Sequence, residues 1–276
     1  MDTMSFGTER GLLLQYHIDT IPVWDAIKLD SECPLCALQQ KIEQMDVERF
    51  LGASVMEPDV RIHVNAKGFC SHHLSLLFTQ KNRLGLALML HTHMKETEKK
   101  AEAVLSQAKL AAVRQAGQPV LQRMLKRGGD SSAPLQKAAQ ELKGTASSCV
   151  ICDSLQEHMD RYCYTFLYLW ERDRDFRKAV SGSKGVCIPH GAKLLSMAEE
   201  NLPARELGSF TETLSGLILS SLHRIGEDVE WFTQKFDYRN QDKPWGESRN
   251  AVERACNQLR GWCVGEDPWA EKAKGK

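Results

Sequence analysis

Cys33-Pro34-Leu35-Cys36 is followed by Cys70-Ser71-His72-His73, and the same residue types return as Cys149-Val150-Ile151-Cys152 and Cys187-Ile188-Pro189-His190. Both copies read C-x-x-C … C-x-x-H, with 33 residues between Cys36 and Cys70 and 34 between Cys152 and Cys187. Three thiolates and one imidazole, delivered as two short chelating pairs, make a complete tetrahedral ligand set for zinc. The pattern therefore predicts two zinc ions, each held by its own copy: Cys33, Cys36, Cys70 and His73 around one, and Cys149, Cys152, Cys187 and His190 around the other. A full set of four protein ligands describes a closed, structural site, because catalytic zinc usually keeps a position for water. Two alternatives stand beside it. Zinc-bound thiolates also serve redox and metal-sensing switches, and an iron–sulfur centre uses similar residues, although its usual four cysteines do not match a set containing histidine.

The duplication extends beyond the ligands. An offset of 116 maps Cys33 to Cys149, Cys36 to Cys152, Phe50-Leu51 to Phe166-Leu167, Asp59 to Asp175 and Arg61 to Arg177. One inserted residue raises the offset to 117, which maps Gly68 to Gly185, Cys70 to Cys187 and His73 to His190. Self-similarity at a fixed offset points to repeated structural units. It also separates the adjacent histidines of the first copy, since His73 has a counterpart and His72 has none.

The elements that must position these residues read as helices throughout, with no convincing period-two alternation. Pro34 suits a first helical position, and Leu35, Leu38, Ile42, Met45 and Phe50 continue at helical spacing to Leu51. Met56-Glu57-Pro58-Asp59 breaks the pattern and opens a loop to Gly68. A long helix is expected from about Asn82 to Gln115, with Leu84, Leu88, Leu90 and Met94 on its apolar side. In the second half, helices are expected from Cys152 to Lys178, from Pro189 to Glu200 and from Arg205 to Phe236. Ser248 reads as the N-cap of a last helix ending near Trp262.

Other reactive side chains carry less. Cys163 lies eleven residues beyond Cys152, about 16 Å along a continuous helix, and reads as a core thiol. Cys256 and Cys263, seven residues apart, would be about 10 Å apart on a helix, too far to chelate one ion. His91 and His93 fall on different helix faces and suit solvated or capping roles. Tyr162, Phe166 and Trp170 recur at i, i+4 and i+8, a packing stripe more readily than a ligand pocket. Between Lys95 and Arg127 eight Lys or Arg face three Glu, a local excess that suits a solvated helix and linker better than nucleic acid. No H-E-x-x-H, G-x-S-x-G, P-loop or di-iron E-x-x-H signature occurs, so no catalytic residue is assigned.

The chain has 276 residues, 42% of them apolar and 26% charged, with a formal net charge of zero. That is a soluble globular composition without a global drive towards nucleic acid or acidic membranes. No apolar run reaches the roughly 18 residues of a membrane span, and the first residues lack the features of a secretory signal. Nine cysteines in such a context argue for reduced thiols and a cytoplasmic location. The expected organisation is all-α: a first zinc-binding unit over 1–115, a flexible linker over 116–148 with a short helical piece at Leu135 to Leu142, a second unit over 149–265, and a flexible tail over 266–276.

The chain also resembles a family of uncharacterised bacterial proteins, a domain of unknown function. The residues that carry the resemblance are His17-Ile18-Asp19-Thr20-Ile21-Pro22-Val23-Trp24, Cys33 to Cys36, Gly68-Phe69-Cys70 with His73, Asn82-Arg83-Leu84-Gly85-Leu86-Ala87, Cys149 to Cys152, and Gly185-Val186-Cys187 with His190. The resemblance covers nearly the whole chain and implies no activity. Similar sequences sometimes carry the label of transporter substrate-binding proteins, a role at odds with the all-helical pattern. The reading that results is a zinc-stabilised helical interaction or scaffold module with a protein partner. A thiol-based sensor of redox state or metal supply is the alternative, and an enzyme with an unrecognised active site comes third.

Overall fold

A computed structural model of the chain describes residues 18–116 and 134–270. Among these residues no strand occurs. The helices are α1 (18–27), α2 (Pro34–Leu51), α3 (Pro58–Lys67), α4 (Ser71–Thr79), α5 (Arg83–Ala116), α6 (Pro134–Ser147), α7 (Val150–Arg172), α8 (Arg174–Ser181), α9 (Ile188–Asn201), α10 (Ala204–Gln234) and α11 (Ala251–Arg260). Short 3-10 turns at Ala53–Met56, Tyr238–Asn240 and Gly246–Asn250 complete the order. Residues 117–133 of the expected linker and 271–276 of the expected tail lie outside the described residues, as does His17. The helical piece anticipated near Leu135 is α6, longer than expected.

The chain forms two compact units, one of residues 1–42 and 155–276 and the other of residues 43–154. Their boundaries fall within α2 and α7, so they do not coincide with the two sequence copies.

In the unit of residues 43–154, the segment read as a loop after Met56 contains α3. Its signals are a proline at the helix start, Asp59 in the first turn, Lys67 in the last and Gly68 as C-cap, all of which suit a short helix. Helix α5 turns a different face inwards from the one expected. Leu86 and Met89 are buried, whereas Leu84 and Met94 are 71% and 68% exposed. Leucines at 84, 86, 88 and 90 leave the apolar side ambiguous in sequence, and the packed neighbours decide it. Asn82 links the helix start to α2, accepting from Gly85 N and donating to Leu51 O. Arg61 donates to Leu88 O at 3.0 Å and to Thr92 Oγ1 at 2.9 Å, holding α3 against α5.

In the unit of residues 1–42 and 155–276, the expected continuous helix to Lys178 breaks at Asp173. Its carboxylate accepts from Asp175 N and Phe176 N and so caps a new helix, α8. Arg177, the repeat counterpart of Arg61, donates to Trp170 O and Glu171 O in the last turn of α7 and pairs with Glu206 on α10. The aromatic stripe is core: Phe166 packs edge-on against Phe176, which also meets Trp24, and Trp170 meets Phe210. Asp19, buried on α1, accepts from Arg161 on α7. These contacts give two residues of the His17-to-Trp24 segment, Asp19 and Trp24, a packing role. Ser248 does not cap α11; its hydroxyl donates to Trp245 O, and Asn250 occupies the cap position. Trp269 donates from its indole N–H to Ala37 O and lies under Lys41, which docks the first residues of the expected tail on α2.

Candidate metal centres

Each of the four ligand pairs begins a helix. Cys33, Cys70, Cys149 and Cys187 stand at the position before the first helical residue, and their carbonyls accept from the backbone N–H four residues on, at 2.8–3.2 Å. The second residue of each pair is then the third residue of its helix. Side chains at these two positions converge over the helix N-terminus, the geometry that a capping box exploits with Ser and Glu. A C-x-x-C or C-x-x-H there aims two donor atoms at one point. Unused backbone N–H groups around that point favour negative charge.

The eight residues gather into two clusters, each with its ligand atoms within 4.8 Å of one another: Cys33, Cys36, Cys187 and His190, and Cys70, His73, Cys149 and Cys152. All eight expected residues thus fall within the two clusters, and His73 rather than His72 turns towards the thiols. The pairing, however, is exchanged relative to expectation. The C-x-x-C of each copy meets the C-x-x-H of the other. Spacing alone could establish that each copy holds a complete set, but not which pairs meet.

The clusters are nested along the chain. The outer one joins Cys36 to Cys187 across 151 positions and the inner one joins Cys70 to Cys152 across 82. Each lies wholly within one compact unit, the outer in residues 1–42 and 155–276, the inner in residues 43–154.

In the outer cluster His190 Nδ1 lies 3.1 Å from Cys187 Sγ, 3.4 Å from Cys36 Sγ and 3.8 Å from Cys33 Sγ, and the sulfurs of Cys36 and Cys187 are 3.5 Å apart. All four residues are buried. Arg224 donates to the Glu32 carboxylate at 3.1 Å and to Lys184 O at 3.3 Å, clamping the backbones that enter both ligand pairs. Gln258 on α11 donates to Val186 O and to Ser221 Oγ. Gly185 allows this close approach, since a Cβ there would lie 2.4 Å from the Ser221 side chain.

In the inner cluster His73 Nδ1 lies 3.2, 3.3 and 3.4 Å from the sulfurs of Cys70, Cys149 and Cys152, and Cys70 Sγ is 3.7 Å from Cys152 Sγ. Here Cys70 is half-buried and Cys152 exposed. Val150 N donates to Gly68 O at 3.0 Å and Ser148 Oγ to Lys67 O at 2.6 Å, while Lys67 pairs with Asp153. Gly68 adopts φ +66°, and a Cβ on it would lie 2.3 Å from His93 Nε2. His93 itself donates from Nδ1 to Asn65 O, which of the two expected roles, solvated or capping, is the capping one.

These separations lie within a few tenths of an ångström of a tetrahedral ion's, the nitrogen–sulfur ones mostly shorter. Zinc bonds of about 2.3 Å to sulfur and about 2.0 Å to nitrogen place ligand atoms about 3.5–3.8 Å apart on the tetrahedron's edges. In both clusters Nδ1 is the nitrogen that faces the sulfurs, leaving Nε2 for an outer partner. Near His73 that position is faced by Glu43, whose Oε1 is 3.2 Å from Nε2 without hydrogen-bond geometry and hydrogen-bonds His72 Nε2 at 2.8 Å. The sequence pattern pointed at neither Glu43 nor the use of His72. The repeat offset places Met159 opposite Glu43 and Pro189 opposite His72, so this carboxylate buttress belongs to the inner cluster's set alone.

Protonation in the protein alone follows the same contacts. Burial opposes charge on His73, but Cys149 and Glu43 outweigh it and raise the imidazole to about 10. Burial likewise opposes the Cys149 thiolate, and His73 with backbone donors brings it down to about 6. Cys152 is pushed up by burial and by the neighbouring Cys149 charge. In the outer cluster Cys33 is lowered against its burial by Cys187, Cys36 and His190, whereas Cys36 is raised, chiefly by Cys187 and Cys33. Each set thus carries one stabilised thiolate, a feature expected of a cation site.

Cys163 is fully buried and belongs to neither cluster, and its thiol is pushed up to about 12 chiefly by that burial. Cys256 and Cys263 are exposed and belong to neither cluster.

Comparison with known proteins places the chain in a family without assigned activity: it belongs to the family of unknown function DUF6062, whose model matches residues 14–266. No curated protein and no solved structure matches it.

Proposed function

Within that family, we propose that this chain is a helical interaction or scaffold module whose two units are each stapled by a zinc ion. The observation that carries the reading is the completeness of both ligand sets: three sulfurs and one imidazole nitrogen converge in each, with no position left for substrate. When bound, zinc supplies cross-linking rather than reaction chemistry. Cys33, Cys36, Cys187 and His190 would hold one ion, and Cys70, His73, Cys149 and Cys152 the other. Arg224, Gln258, Ser148 and Lys67 hold the ligand-bearing backbones in place.

An interaction role is supported by the apolar side chains that the unit of residues 43–154 leaves exposed, among them Met56, Ile62, Phe78, Leu84 and Met94. No helix among the described residues is long and apolar enough to cross a membrane. All nine cysteines are free, which supports a reducing, cytoplasmic location. The unequal exposure of the two clusters favours a second reading, a thiol-based sensor.

Metal analysis of purified protein tests the first reading. It expects about two equivalents of zinc per chain and loss of helical circular dichroism on chelation. A metal-free chain that stays fully folded would overturn it.

A further inference from the structure

The two clusters offer the same chemistry to an oxidant but not the same access. The outer four residues are all buried, whereas the inner set presents Cys152 exposed and Cys70 half-buried at the surface. Their sulfurs lie 3.7 Å apart, close enough that a modest shift reaches the 2.05 Å of a disulfide. Cys149, the neighbour of Cys152 in the C-x-x-C, is 3% exposed. The two cysteines of the set that solvent reaches therefore also have their sulfurs in contact with each other.

Resting on the zinc reading, we propose that Cys152 is an oxidation site and Cys70 its resolving thiol, so that the inner cluster opens to peroxide while the outer one stays closed. The Cys152 thiolate attacks one oxygen of hydrogen peroxide, breaking the O–O bond to give a sulfenic acid and hydroxide. The Cys70 thiolate then attacks the sulfenic sulfur, forming the S–S bond and releasing a second hydroxide. Two electrons pass from the two sulfurs to peroxide, and two protons from solvent convert the hydroxides to water. Only His73 and Cys149 remain as donors, too few for a tetrahedral ion. A low-molecular-weight dithiol reverses the sequence by exchange through a mixed disulfide.

The test uses the full chain as purified. Zinc is quantified first, so that a chain carrying no zinc overturns the underlying reading by itself. Hydrogen peroxide is then added with a chromophoric zinc chelator present, and cysteines are mapped by differential alkylation and mass spectrometry. One equivalent of zinc is expected to appear about tenfold faster or more than the second, on the contrast between exposed and buried thiols. A Cys70–Cys152 disulfide is expected to form in step with it, both reversed by dithiothreitol. Simultaneous release of both equivalents, release accompanied by oxidation of Cys33, Cys36 or Cys187, or a first disulfide that excludes Cys152 would each overturn the proposal. Cys152→Ser serves as a second probe. Its remaining equivalent should resist the same peroxide dose, and rapid loss of that equivalent would contradict the assignment.

Discussion

The inner and outer clusters share a set of residue types, a helix-start geometry and matching positions in the sequence repeat, yet they sit in different surroundings. The outer one is sealed, with Arg224 and Gln258 bracing its backbones. The inner one reaches the surface at Cys152 and carries a carboxylate, Glu43, behind its imidazole. The two copies share two donors at each of two helix N-termini and differ in burial and in what faces Nε2. Glu43 and His72 in one copy stand where Met159 and Pro189 stand in the other. The comparison teaches that a ligand pattern specifies a site's identity, whereas its lability and tuning are set by residues outside the pattern.

Nesting adds a difference in assembly. Closing the outer loop of 151 positions rather than the inner one of 82 costs about 0.5 kcal/mol more on chain entropy alone. Forming the inner cluster first shortens the effective outer loop, so the two sites are expected to fill in that order during refolding.

Removing both metals should have the largest effect. Apparent binding energies of structural zinc reach about 10–16 kcal/mol in small domains, so chelation is expected to abolish cooperative thermal unfolding in both units, read by circular dichroism. Loss of the transition in one unit only would show that the two clusters differ in kind.

Core truncations come next and should treat the copies alike. Phe50 and Phe166 are repeat counterparts, both buried, each in edge-on contact with another phenylalanine. Either change to Ala is expected to cost about 3–5 kcal/mol in denaturant unfolding while leaving zinc stoichiometry at two. A lost equivalent of zinc would tie the aromatic core to the sites.

How much of this was legible in the sequence follows from the same residues. The eight clustered Cys and His residues, the choice of His73 and the all-helical class could be read, because chelating pairs and helix starts are local. Which pairs meet could not be read, because it is decided by contacts far apart in sequence, and α3 itself was concealed in a short segment with few apolar residues. The inward face of α5 was hidden by alternating leucines, and the break at Asp173 by a charge run that also reads as a solvated helix. Glu43 was invisible because nothing local distinguishes a carboxylate that meets His73 from one that meets water.

The buttress should distinguish the sites more finely. Glu43→Gln is expected to weaken zinc binding at the inner cluster by about 10- to 100-fold and to leave the outer one unchanged. Met159→Leu should alter neither affinity. Competition against a chelator of known affinity measures both, and equal weakening at the two clusters would remove Glu43 from its positioning role.

The smallest effect is a pH dependence of the metal-free inner cluster. His73 is raised above 6.5 to about 10, so its contribution to stability is complete below 6.5 and is lost as pH rises through about 10. Cys149 is lowered from 9.0 to about 6, so its contribution is present above 9.0 and is lost as pH falls through about 6. The two coexist between about 6 and about 10, where the ion pair between them persists without metal. Zinc must displace the His73 proton, so its affinity, read by competition with a chelator, should climb with pH across that window. An affinity that stays flat across it would contradict the ion pair.

The exchange of partners between copies is tested most directly by zinc content in two double variants. Cys33→Ser with Cys187→Ser removes two ligands of one observed cluster and should leave one equivalent of zinc. Cys33→Ser with Cys70→Ser removes one ligand from each and should leave none. If the second variant keeps one equivalent and the first keeps none, each copy binds its own ion and the crossed architecture is wrong.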